Sequence, residues 1–138
     1  MIEYYKPKHF AAHELVPPAV YSDRGEKSFE LIDVRVLITL DTLRDHWGPL
    51  TVNNWYWDKD RLWSGLRTPE SPYFSKYSQH TFGRAADCIF KKVNADIVRQ
   101  DILKHPDKYP FINFIETDIT WLHFDVRNCE RITTWSPK

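Results

Sequence analysis

Ile119-Thr120-Trp121-Leu122-His123-Phe124-Asp125-Val126 alternates residue by residue. Successive side chains of a strand point to opposite faces. Thr120, Leu122, Phe124 and Val126 therefore share one face, and Ile119, Trp121, His123 and Asp125 share the other. The first set is apolar enough to face a core. A histidine and a carboxylate on the opposite side of such a strand are placed for a site.

Upstream stands Ser78-Gln79-His80-Thr81-Phe82-Gly83-Arg84-Ala85-Ala86-Asp87. Ala85 to Phe90 reads as a second strand, with Ala86, Cys88 and Phe90 toward the core and Asp87 away from it. His80 falls in the loop before it, and Gly83 marks a tight turn where a side chain would obstruct the chain. Two imidazoles and one carboxylate suit one divalent metal. Three protein ligands plus water make an open, catalytic type of zinc site, whereas structural sites usually close with four ligands, commonly cysteines. Only Cys88 and Cys129 are present, so zinc on His80, Asp87 and His123 is the expectation. Two histidines and a carboxylate also make the facial triad of iron oxygenases. Those sites usually sit on many-stranded jelly rolls, and few strands are legible here. Ser78 with His80 lacks the third, orienting acid of a serine nucleophile. Ser78 and Gln79 instead shape the ligand loop by hydrogen bonding.

At these residues the chain resembles the zinc D-Ala-D-Ala carboxypeptidases and L-alanyl-D-glutamate endopeptidases, whose fold the hedgehog signalling domain shares. Ser78, His80, Gly83, Ala85 and Asp87 match the family's Ser-x-His-x-x-Gly-x-Ala-x-Asp signature. Ser64-Gly65-Leu66-Arg67 is similar to its Ser-Gly-x-Arg element, and His123-Phe124-Asp125-Val126-Arg127 to the ending of its phage- and prophage-encoded branch. The resemblance covers roughly residues 33 to 127. It implies a hydrolase, a zinc metallopeptidase that cleaves peptidoglycan stem peptides near a D-amino acid, as a carboxypeptidase or an endopeptidase. It implies cell wall degradation as a phage lysin or virion component. Many relatives carry a catalytic acid three residues before the second histidine, and Thr120 stands there in this chain. Glu116 and Asp118, seven and five residues before His123, are the replacements, Glu116 preferred for its longer reach. The alternative is a zinc-binding but inactive structural or interaction domain of a phage particle. In the active reading, zinc brings the pKa of bound water to roughly 7 and the acid serves as general base, then general acid.

Arg67, near His80 in a polar loop, is either a solvated arginine or a clamp for the substrate carboxylate or the oxyanion. Trp121 and Asp125 share the His123 face; Asp125 either orients His123 or pairs with Arg127. Asn53-Asn54-Trp55-Tyr56-Trp57 and Trp63 form an aromatic cluster, as core filling or as a wall for a sugar or peptide. His9, His13, His46 and His105 have no partners at metal spacing.

The 138 residues suit a single domain, with 42% hydrophobic and 28% charged residues. Lys and Arg total 19 against 19 Asp and Glu, so no basic excess points to nucleic acid. No apolar run approaches a membrane span, and the start lacks a secretory signal, so cytoplasmic synthesis is expected. The expected fold is α+β, a small antiparallel sheet with helices packed on one side. Residues 1–27 read as an irregular, proline-rich wrap, 28–127 as the core and 128–138 as a tail. Asp33 caps a helix whose Val36, Leu40, Leu43 and Trp47 form one stripe, ended by Gly48-Pro49. Leu50 to Asn54 reads as a strand. Asn94 caps a second helix with Ala95, Val98 and Ile102 buried, ending near His105 before Pro106.

Overall fold

The computed structural model describes residues 4–58 and 60–138; residues 1–3, part of the expected wrap, and Lys59 lie outside them. Three α-helices and five strands make an α+β fold. Helix α2 spans Val34–Trp47 and opens on Asp33, whose carboxylate accepts from the Arg35 amide at 2.9 Å. It closes at Gly48, with φ 83°. Helix α3 spans Ala95–Lys104, and the Asn94 side chain accepts from the Asp96 amide at 2.7 Å. Both caps satisfy amides that a helix start leaves unpaired.

The strands are β1 (Leu50–Thr51), β2 (Ala85–Phe90), β3 (Phe114–Glu116), β4 (Leu122–Asp125) and β5 (Thr133–Trp135), in the spatial order β1-β2-β4-β3-β5. Ala86 lies opposite Phe124, and Cys88 opposite Leu122, on one face; Asp87 lies opposite His123 on the other. Ala86, Cys88, Phe90, Ile115, Leu122, Phe124 and Val126 join Val36, Leu37, Leu40 and Leu43 of α2 and Val98 and Ile102 of α3 in one buried cluster. Both longer helices therefore pack on the same side of the sheet. Each fully buried leucine or isoleucine there contributes about 1.5–3 kcal/mol. The other face carries the polar residues.

Several expectations need correction. The sheet is mixed, not antiparallel: β5 runs parallel to β3, with Phe114 opposite Thr133 and Glu116 opposite Trp135. Residues 128–138 thus contribute an edge strand rather than a tail. Arg131 anchors it by donating to the carbonyls of Ile112, Tyr109 and Pro106. The N-terminal wrap is more helical than expected, with α1 (Pro18–Arg24) begun by Pro18 in its first turn and a 3-10 stretch over Gly25–Leu31. Its Ala12, Leu15 and Val16 belong to the core. The strand expected over 50–54 stops at Thr51, because the Asn53 amide turns to the Glu14 carbonyl at 2.8 Å. The strand expected from Ile119 starts only at Leu122. Asp118 takes a φ of 61°, and Arg99 occupies the carbonyls of Ile119 and Trp121.

Gly83 sits at φ 68°, and a side chain there would meet the Leu31 carbonyl oxygen at 2.0 Å. Its own carbonyl accepts from the Asp33 amide at 2.9 Å, tying the ligand loop to the start of α2. Gly83→Ala should therefore destabilise the fold by about 3 kcal/mol or more, since strained φ and backbone overlap add. Chemical denaturation checks this; an unchanged midpoint would contradict the packing.

Candidate metal centre

His80 is carried by a short 3-10 helix, Gln79–Phe82, which Ser78 caps by accepting from the His80 amide at 3.2 Å. The cap turns the imidazole inward, and Gly83 closes the turn. His80 Nδ1 lies 2.8 Å from the Gly65 carbonyl and donates to it, leaving Nε2 free as a ligand. A side chain on Gly65 would meet the Leu15 carbonyl oxygen at 2.2 Å, so only glycine brings that carbonyl so close. This gives the Ser64-Gly65-Leu66-Arg67 element a physical purpose.

Asp87 and His123 face each other across the β2–β4 pair. Asp87 Oδ1 lies 2.9 Å from His123 Nδ1 and 3.4 Å from His80 Nε2. One donor atom from each of the three residues lies within 4.8 Å of the others. Ligand atoms around a tetrahedral zinc stand about 3.3 Å apart, given bonds near 2.0–2.2 Å. The two distances bracket that value, so the buried His80, Asp87 and His123 group fits a metal ion without rebuilding the backbone.

The partners behind the three residues fix their chemistry. His123 Nε2 donates to Asp125 at 2.8 Å. Arg127 Nε and Nη2 donate to the same carboxylate, each at 2.8 Å, and the guanidinium lies 3.6 Å above the Phe114 ring. Burial disfavours an imidazolium, yet the hydrogen bonds to Asp125 and Asp87 outweigh it and hold the His123 pKa up to about 9. A divalent cation on Nδ1 would supply the positive charge that this proton supplies. Burial alone would raise the Asp87 carboxyl, but His80 and His123 beside it hold it far below the ordinary carboxylate range. Asp125 is also held low: burial opposes it, and hydrogen bonds from Arg127 and His123 prevail.

Asp125→Asn should lower the affinity of the centre for a divalent metal by about 10–100-fold, because the amide cannot fix the His123 ring as the carboxylate does. Competition with a chromophoric chelator measures this. Unchanged affinity would make Asp125 only a partner of Arg127.

The triad opens into a cavity of about 430 Å³, lined also by Arg67, Ser78, Gln79, Glu116, Trp121 and Arg127. Arg67 is not a solvated arginine. Its Nη2 donates to Asp87 Oδ2 at 3.2 Å and its Nε to the Trp63 carbonyl at 2.8 Å, and burial lowers its pKa. Glu116 ends β3 with Oε1 3.7 Å from His123 Nδ1. Asp118 is exposed and lies outside the cavity's lining, as does Thr120. Asn53 is buried, donating to the Val16 carbonyl, as Trp55 also does. Trp55 and Tyr56 cluster with His13 and Tyr21 away from the triad, whereas Trp63 lines an adjoining cavity.

One contributor was not foreseen. Arg99 of α3 is 4% exposed and donates to the carbonyls of Glu116, Ile119 and Trp121, at 2.9, 3.2 and 2.7 Å. It holds the backbone that presents Glu116 and Trp121. A charged residue four positions after Ala95, on the buried stripe of an amphipathic helix, was the available signal. Among the described residues no helix is long and apolar enough to cross a membrane. In comparisons with known proteins, no family model, no curated protein and no solved structure matches the chain.

Proposed function

We propose that the chain is a zinc-dependent peptidase that hydrolyses an amide bond in peptidoglycan stem peptides. The observation that carries the reading is the carboxylate of Glu116 beside an open His-Asp-His centre, 3.7 Å from His123 Nδ1. Structural zinc sites are closed by four ligands, whereas three ligands leave a position open here, with a second acid, Glu116, lining the same cavity. The substrate class comes from the resemblance of residues 78–87 and 123–127 to the zinc D-Ala-D-Ala carboxypeptidases and L-alanyl-D-glutamate endopeptidases. A hedgehog-like fold and action at the bacterial cell wall, as a phage lysin or virion part, belong to the same proposal.

His80 Nε2, Asp87 Oδ1 and His123 Nδ1 would hold the metal. Zinc, when bound, supplies a Lewis acid that makes water acidic near neutral pH and polarises a carbonyl. The protein supplies the remainder. Gly65 and Asp125 hold the two imidazoles in their ligating tautomers. Glu116 accepts the proton of the attacking water and returns it to the leaving amine nitrogen, as general base and then general acid. Arg67 has two nitrogens held by Trp63 and Asp87, so its guanidinium is fixed at the cleft wall. There it stabilises negative charge developing on the attacked carbonyl oxygen.

Digestion of purified peptidoglycan, read by mass spectrometry of the muropeptides, tests the proposal. Cleaved stem peptides that disappear after chelation and return with zinc are expected. Intact muropeptides at every enzyme concentration would favour a zinc-binding interaction domain instead.

A further inference from the structure

The triad's cavity is the middle of a longer groove. On one side it shares Arg67, Asp87 and Trp121 with a cavity of about 550 Å³, walled by Leu62, Trp63 and Tyr73. On the other side it shares Glu116 and Arg127 with one of about 390 Å³, walled by Phe114, Thr133 and Trp135. We infer that the substrate lies through this groove and is cut internally, with amino-acid residues held on both sides of the scissile amide. The inference rests on the peptidase reading and decides between its two forms, endopeptidase and carboxypeptidase.

The sheet sets the length. Asp87, His123, Glu116 and Trp135 stand on the same open face of the adjacent strands β2, β4, β3 and β5. Two inter-strand steps separate His123 from Trp135, about 10 Å at about 4.8 Å each, and an extended residue covers about 3.3 Å. The groove on the β5 side of the triad therefore has room for about three residues, not one. Opposite, Trp63 and Tyr73 continue it beyond Asp87.

Charge argues in the same direction. An enzyme that removes one terminal residue needs a cation free to hold its carboxylate, within a residue's length of the cut. Neither arginine flanking the triad is free for that role, because Arg67 stands at the attacked carbonyl in the proposed mechanism and Arg127 is held by Asp125. Arg67 pairs with Asp87 at 3.2 Å, and Arg127 pairs with Asp125 through two hydrogen bonds. Arg61, farther along, donates to the Val52 carbonyl and the Ser64 hydroxyl. The end walls instead offer aromatic rings and hydroxyls, which suit uncharged backbone and side chains.

Monomeric stem-peptide muropeptides, free or amidated at the C-terminal carboxylate, distinguish the outcomes when digested by the zinc-loaded protein. Internal cutting predicts fragments that carry two or more residues on the leaving side, with amidation changing kcat/KM less than about threefold. Trp63→Ala and Trp135→Ala, one at each end, should each lower kcat/KM by about tenfold at unchanged zinc content. Release of a single terminal residue, blocked by amidation, would overturn the inference and leave the peptidase reading standing. An effect confined to one of the two tryptophans would also overturn the two-sided groove. Failure to cut either form, with peptidoglycan itself also intact, would overturn both readings.

Discussion

Glu116→Gln should reduce amide hydrolysis by about 100- to 10,000-fold while zinc content stays that of the wild type. The substitution keeps the size of the side chain and removes the oxygen that can accept a proton. Glu116 lines the triad's cavity, and the Arg99 guanidinium fixes its backbone through the Glu116 carbonyl. Asp118→Asn should have little effect, because Asp118 is exposed on the bend before β4. Rates on purified muropeptides, together with metal analysis of each variant, check both. Full activity in Glu116→Gln would remove the proposed base; loss of zinc in it would make Glu116 a ligand or a support rather than a base.

His123→Ala carries the second large effect, and it acts on two quantities. It removes one of the three proposed ligands, so bound zinc should be lost. It also removes the group between two buried carboxylates, Asp87 at 2.9 Å and Asp125 at 2.8 Å. Each keeps an arginine, but breaking a buried charge pair on one side costs about 3–5 kcal/mol. The variant should therefore melt below wild-type protein that has itself been stripped with chelator. That comparison separates lost charge pairing from lost metal stabilisation. Equal melting of the two would show that Arg67 and Arg127 already neutralise the carboxylates.

Where local chemistry decides structure, it was legible in the sequence. Asp33 and Asn94 announce α2 and α3, and Gly48-Pro49 announces the end of the first. Alternation across Ala85–Phe90 and Leu122–Asp125 separates core residues from Asp87 and His123. Strand parity alone places those two on one face; their pairing across β2 and β4 brings them together. Asp125 was legible for the same reason, two residues beyond His123.

What escaped depends on contacts distant in sequence. Thr133-Thr134-Trp135 is short and exposed, and nothing in it shows that it will lie parallel to β3. Its placement comes from Arg131 reaching back to Ile112 and Tyr109. The bend at Asp118 interrupts an alternation that otherwise continues, and Arg99, about 20 residues upstream, holds it. The sequence left Arg67 open between a solvated arginine and a clamp, because its partner, Asp87, lies on another element.

Metal analysis of protein purified without added metal tests the centre most directly, with His80→Ala and His123→Ala prepared alongside. The proposed function predicts one zinc ion per wild-type chain and none in either variant. Iron in the wild type, or full zinc stoichiometry retained in both variants, would contradict it.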